Sequence, residues 1–439
     1  MKKLTKKSIV LSVLSSLIFP IVGCGDYSNS NINSILPNNL IFNTQSVRNK
    51  ISIKASNYIS QGFIPGEIIV KYKKNSSYTC LESMGIKKIK SIGKPEHRIY
   101  LMKLPDNNND LKNLLQKIKE NPNVEFVELN GIYTLPKFNT TEEVGSINYE
   151  YTYPNDPMFS KQYAHKVSNS QAGWTITTGN PKVTIAIVDT GVDLTHPDLK
   201  GKLLPGKDFV DEDNDPTDGH GHGTHCSGIA AAITNNNEGI AGFAPNCSVL
   251  PVRVLDDRGS GSFADVAEGI MWASDKASVI SMSLGGRVNS QTVTEAVNYA
   301  LSKDVVVVSA MGNDGKEVQC YPAALQGVIA VGSTDSKDQR SSFSNYGKWI
   351  SVTAPGSSIL STFPTYDNNI GVKNYGVISG TSMATPAVAG LAGLVKSKYP
   401  NLNYNQIKIR IENGADDLGT QGFDKYFGYG RINVYKTLK

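Results

Sequence analysis

Gly380-Thr381-Ser382-Met383-Ala384-Thr385-Pro386 is a run of small residues closed by a proline. Small residues permit a tight turn, and proline is tolerated in the first turn of a helix. The stretch therefore reads as a turn that enters a helix near Ser382. Two stretches upstream give it meaning. Ile187-Val188-Asp189-Thr190-Gly191 sets an acid at the end of a β-rich run, and His222-Gly223-Thr224-His225 sets an imidazole at a glycine-flanked helix start. From Lys182 onward, apolar runs at 183–188, 248–255, 278–283, 305–310 and 327–333 alternate with helical patterns. Continuous Val/Ile-rich runs between helices indicate strands buried on both faces, as in a parallel sheet. The expected architecture is α/β in three layers, with its site at the carboxyl ends of the strands.

Asp189, His222 and Ser382 follow one another in the order acid, base, hydroxyl. By these three ordered motifs the sequence, from Asp156 to about Tyr435, resembles the subtilase family of serine proteases, and within it the thermitase group. The resemblance implies a subtilisin-like fold and a Ser-His-Asp triad. Serine is a poor nucleophile until a base lies within hydrogen-bond reach. Ser382 would attack a scissile carbonyl, His222 would carry the proton, and Asp189 would orient and stabilise the imidazole. Of the other histidines nearby, His220 falls outside the motif and reads as solvated, and His225 reads as structural. Asn313, in Met311-Gly312-Asn313 after the run at 305–310, matches the family's side-chain donor to the oxyanion; the second donor would be the Ser382 N–H.

An extended substrate would be clasped between two backbone edges, Gly259-Ser260-Gly261 and Ser283-Leu284-Gly285, by strand addition. Ala310, Met311 and Gly312 would wall the first specificity pocket, and the resemblance puts Cys320 at its floor. No acid stands at these positions, so selection of Lys or Arg is not expected. Met311 departs from the small residue usual there, and Ala387 stands where the family commonly has histidine. Cys226 resembles the thiol that some subtilases carry beneath the catalytic histidine.

Calcium is the implied cofactor. Asp208, Asp211, Asp213, Asp215 and Thr217 crowd oxygen ligands into one loop, whose four carboxylates would repel one another without a cation. A second set rests on the resemblance alone: Asp156, Asp198 and Asn236 with the backbone carbonyls of Ile233, Glu238 and Ile240.

At 439 residues the chain is long enough for two or three domains. Residues 1–150 carry 20 Lys and Arg against 12 Asp and Glu, and residues 151–439 carry 24 against 27. The part bearing the triad is thus mildly acidic, which argues against nucleic acid as partner. Lys2, Lys3, Lys6 and Lys7 followed by an apolar core at 9–22 read as an export signal over 1–24. Its end, Ile21-Val22-Gly23-Cys24, resembles a lipoprotein box that would anchor the precursor to lipid through Cys24. Residues 25–60 read as a polar linker. Residues 61–135 show strands at 67–72, 86–92, 97–104 and 124–129, a weak helix at 76–84 and an amphipathic one over 111–118. That β-α-β-β-α-β order suggests a ferredoxin-like unit, by position an inhibitory propeptide. Residues 136–150 read as a processing linker and 151–439 as the catalytic domain. The four later cysteines are too widely spaced for a metal pattern or a dense disulfide framework.

The expectation is an exported, calcium-stabilised, monomeric serine endopeptidase made as a self-processing precursor, acting on proteins or peptides. The rival is a non-catalytic surface lipoprotein on the same scaffold, which predicts a broken triad. A lipase-type hydrolase would show Gly-x-Ser-x-Gly and the chain order Ser, Asp, His.

Overall fold

The computed structural model describes residues 62–105, 110–140 and 154–439. The signal segment, Cys24, the polar linker and most of the processing linker lie outside these residues. Among the described residues no helix is long and apolar enough to cross a membrane.

The N-terminal unit consists of β1 (Phe63–Tyr72), β2 (Lys87–Ile92), β3 (Ile99–Lys103), α1 (Leu111–Lys119) and β4 (Val124–Thr134). Its antiparallel order β2-β3-β1-β4 is the ferredoxin-like order expected. The weak first helix is a 3-10 segment, Tyr78–Met84, capped by Ser77 and stopped at Gly85 in the left-handed region. Leu81 is its fully buried side chain, with Tyr78, Cys80 and Met84 packed half-buried on the same core, and the left-handed turn at Gly85 ends the segment before it can lengthen. β4 continues five residues past its expected end. Gly131 makes this possible: a methyl group there would lie 2.3 Å from the Phe263 ring, so only a glycine lets the strand cross it.

Residues 136–140 follow β4 and end in β5 (Asn139–Thr140). The main sheet has seven strands: β6 (Thr184–Asp189), β7 (Lys207–Asp208), β8 (Ser248–Arg253), β10 (Val279–Met282), β11 (Val306–Ala310), β12 (Ile329–Thr334) and β13 (Val352–Pro355). Their order is β13-β12-β11-β10-β6-β8-β7, and every pairing is parallel. The short strands β9 (Ser260–Ser262), β14 (Ile359–Thr362) and β15 (Tyr375–Ser379) lie outside it.

Strand residues of alternating parity bury on opposite faces. Ile185, Ile187, Val249, Val306 and Val308 share a core with α2 (His222–Ala231) and α5 (Thr381–Lys398). Ala186, Val188, Leu250, Val252 and Val307 share the other with α3 (Phe263–Ser274) and α4 (Gln291–Ser302). Those two cores make the three layers. The N-terminal unit adds Ile69, Ile92, Ile99 and Leu101 to the second core, so it packs on the α3–α4 face. Polar contacts fix its position. Lys90 Nζ sits 3.0, 3.1 and 3.1 Å from Glu212, Asp265 and Glu268. The Glu128 carboxylate accepts the N–H groups of Gln291 and Thr292 at 3.0 and 2.8 Å, at the positive end of α4.

Candidate active site

β6 stands where the strand order turns, between β8 and β10, and Asp189 is its last residue. α2 begins with His222 directly beside it. Gly223 lets the two approach, since a methyl group there would lie 2.1 Å from the Gly191 carbonyl oxygen. His222 Nδ1 and Asp189 Oδ1 are 2.7 Å apart, with both side chains sealed from solvent. Burial opposes the charged imidazole, but the Asp189 carboxylate outweighs it and holds the His222 pKa well above its ordinary value.

Ser382 stands in the first turn of α5, gathered to the same place. Its hydroxyl donates to the Ser283 carbonyl at 3.2 Å. Among the described residues His222 Nε2 has no hydrogen-bond partner, so the Ser382 hydroxyl is turned aside from the base in this arrangement. Cys226 lies beneath, its Sγ 3.8 Å from His222 Nδ1 and 3.6 Å from the Ser382 carbonyl oxygen. Asn313 Oδ1 accepts from the Thr381 N–H and hydroxyl, which directs Nδ2 outward, where it donates to the Lys137 carbonyl at 2.6 Å.

The two backbone edges read from the sequence hold the chain's own residues 132–135 between them. β4 pairs antiparallel with β9 through Tyr133 and Gly261. Thr134 and Gly285 exchange N–H···O bonds at 3.4 and 3.3 Å, and the Leu135 N–H donates to the Gly259 carbonyl at 2.9 Å. Gly285 and Gly312 both face Cys320: a methyl group at Gly285 would lie 2.8 Å from its sulfur, and one at Gly312 3.4 Å from its Cβ. Leu284 and Ala310 are fully buried nearby. Met311 packs into a separate small core with Ala323, Ala330 and Ile350.

The subtilase family model matches residues 180–430, more than half of the chain and all four of Asp189, His222, Asn313 and Ser382. The chain is a subtilase. Thermitase of Thermoactinomyces vulgaris is 51% identical over 288 residues, 65% of this chain and 99% of that protein. The thermophilic serine proteinase of Bacillus sp. strain AK1 is 40% identical over 384 residues, 86% of this chain and 88% of that one. The crystal structure of fervidolysin from Fervidobacterium pennivorans superposes with a TM-score of 0.77 at 29% identity, over 86% of this chain and 61% of fervidolysin. The fervidolysin N-terminal prodomain model matches residues 51–130. The protein is therefore a subtilase serine protease with an N-terminal prodomain.

Other features of this subtilase bear on the sequence reading. His220 is not solvated: it is 8% exposed, edge-on to the Phe138 ring at 6.1 Å, and burial lowers its pKa to about 4. His225 is structural as expected, with Nε2 3.1 Å from the Ile359 carbonyl oxygen. Cys80, Cys226, Cys247 and Cys320 are free thiols. The sequence reading missed Asp218. Its fully buried carboxylate accepts from the Thr190 hydroxyl, the N–H groups of His220, Gly221 and Thr224, and the Thr224 hydroxyl, at 2.7 to 3.0 Å. It ties the end of β6 to the start of α2. An acid four residues before the candidate base was the available signal.

The two candidate cation sites differ in fit. In the loop 208–217, Arg253 lies against Asp208 and also bonds Asp211 at 2.7 Å and Asp257 at 2.9 Å. Much of the repulsion that seemed to demand a cation is thus met by a guanidinium. The second set surrounds two carboxylates. Asp156 receives the Asn235 and Asn236 N–H groups, and Asp198 receives Asn236 Nδ2 at 2.9 Å and the Ile240 N–H at 2.8 Å. Both carboxylates are buried. Burial raises both pKa values, that of Asp198 to about 6 with a contribution from Asp156. A hard cation between them would relieve that cost.

Proposed function

We propose that this subtilase is an exported serine endopeptidase that cleaves its own precursor, with Ser382 as nucleophile, His222 as base, Asp189 as its orienting partner and Asn313 as oxyanion donor. The observation that carries the reading is the buried 2.7 Å pairing of His222 with Asp189, beside the N-terminus of the helix that bears Ser382. A swing of the Ser382 hydroxyl about χ1 toward His222 Nε2 would complete the triad. Proton transfer to His222 releases the nucleophile, and return of that proton to the amine nitrogen lets the peptide bond break. Asn313 Nδ2 then faces the oxygen on which negative charge develops. Leu284, Gly285, Ala310, Gly312 and Cys320 offer no charge, so an apolar residue before the cut is preferred.

In this reading residues 61–135 are the inhibitory propeptide, 136–150 the processing segment and 151–439 the catalytic domain. Calcium is held by Asp156, Asp198 and Asn236 with the carbonyls of Ile233, Glu238 and Ile240, and supplies stability rather than a step of the reaction. The segment 1–24 directs export and Cys24 anchors the precursor to lipid. The rival, a binding-only lipoprotein, is disfavoured because Asp189, His222, Asn313 and Ser382 are all intact. The test is Ser382→Ala. It should abolish hydrolysis of a denatured protein and leave the purified precursor whole; normal maturation of that variant with no other protease present would refute the assignment.

A further inference from the structure

We infer that the first self-cleavage falls at the Lys137–Phe138 peptide bond, and that backbone pinning of residues 132–140, not recognition of the Lys137 side chain, selects it. The inference rests on the catalytic roles proposed above.

Both ends of this strap are fixed. On the amino side, Ile132, Tyr133 and Thr134 pair with Ser262, Gly261 and Ser260, Thr134 also pairs with Gly285, and Leu135 bonds Gly259. Tyr133 is an anchor: its ring lies 4.6 Å from that of Phe263 and its hydroxyl donates to the Val288 carbonyl at 3.1 Å. On the carboxyl side, Asn139 and Thr140 pair antiparallel with Ser379 and Ile378, just ahead of Ser382. The bond cut must lie between these clamps, among residues 135–139.

Within that span one carbonyl is singled out. The Lys137 oxygen receives Asn313 Nδ2 at 2.6 Å. The Phe138 ring lies 5.5 Å from the His222 ring, tilted by 35°, so the residue that follows this carbonyl has its side chain beside the proposed proton donor. The Lys137 side chain is exposed, so it does not fill the apolar pocket. Attack by Ser382 Oγ on the Lys137 carbonyl carbon breaks its bond to the Phe138 nitrogen. The serine proton passes through His222 to that nitrogen, and water then hydrolyses the acyl-enzyme to leave a Lys137 carboxylate.

The test follows purified full-length precursor with time, identifying the earliest fragments by intact mass and N-terminal sequencing, with Ser382→Ala as control. A prodomain fragment ending at Lys137 and a partner beginning at Phe138 should appear first in the wild type and be absent from the control. Phe138→Pro, which puts a tertiary amide at the bond, should slow the first cut at least about tenfold. Lys137→Met should change its rate by no more than about twofold. An earliest cut at another bond, or undiminished cleavage of Phe138→Pro, overturns the inference, as does a larger effect of Lys137→Met. Peptide hydrolysis appearing after a cut elsewhere would leave the proposed function standing. Absence of both self-cleavage and peptide hydrolysis would remove both readings.

Discussion

Asn313 Oδ1 accepts hydrogen bonds from both the backbone N–H and the hydroxyl of Thr381, at 2.9 and 2.7 Å. Two donors on one amide oxygen forbid the amide from flipping, because a flip would turn Nδ2 toward them. The residue next to the proposed nucleophile therefore fixes the direction of the oxyanion donor. Helix start and donor are thus tied together beside the proposed nucleophile.

Asn313→Leu should lower kcat by roughly 10²–10³ while changing KM little, because the lost donor acts where charge develops. Steady-state kinetics on a short peptide tests this. A loss confined to KM would reassign Asn313 to ground-state binding.

Asp218 is a positioning residue. Its carboxylate holds Thr190, next to Asp189, and Gly221, next to His222. Asp218→Ala strands several buried donors and should cost about 3 kcal/mol or more of stability. It should also lower kcat in the folded enzyme much more than KM, with Asp218→Asn recovering part of the loss. An unchanged kcat would leave Asp218 with a merely structural role.

The prodomain contact should weaken on acidification. His97 sits with its ring edge-on to Tyr299 at 4.7 Å, and among the described residues its Nε2 has no hydrogen-bond partner. Burial lowers its pKa; Glu96, Asp275 and Glu295 oppose the shift and Lys94 adds to it. A base whose pKa falls on folding contributes stability above its unfolded value, near 6.5 for histidine, and loses that contribution as pH drops through its folded value. Melting of the Ser382→Ala precursor should therefore shift downward between about pH 7 and pH 5. His97→Gln should shift less over the same interval; an equal shift would exclude His97 as the cause.

Chelation should lower the melting temperature by several degrees while leaving kcat of the still-folded enzyme unchanged, since a cation that binds only the native state stabilises it by mass action. Asp198→Ala should abolish that response, whereas Asp213→Ala, in the loop whose charge Arg253 already meets in part, should leave it intact. A chelator response lost only in Asp213→Ala would reverse the assignment of the sites.

Much of this protein is legible along the chain. The parallel sheet announces itself in Val/Ile-rich runs, since a strand covered on both faces must be apolar throughout. The order Asp189, His222, Asn313, Ser382 is equally readable, because each stands at a strand end or helix start with its own local signal of glycine or small residues. The prodomain order is readable because its strands and amphipathic helix repeat with their own periods. Tertiary structure alone decided what lies between distant residues. Arg253 reaches into the acidic loop from another strand, and no local pattern foretells a counter-charge 42 positions from its partner Asp211. His220 looked solvated, yet Phe138, 82 positions earlier by residue number, covers it. The bond offered to Ser382 was likewise hidden: residues 136–140 look like a polar linker until β4, β9 and β15 clamp them. Periodicity reports the burial of an element on its own face, whereas backbone pairing between remote strands depends on register, which packing sets and composition does not record.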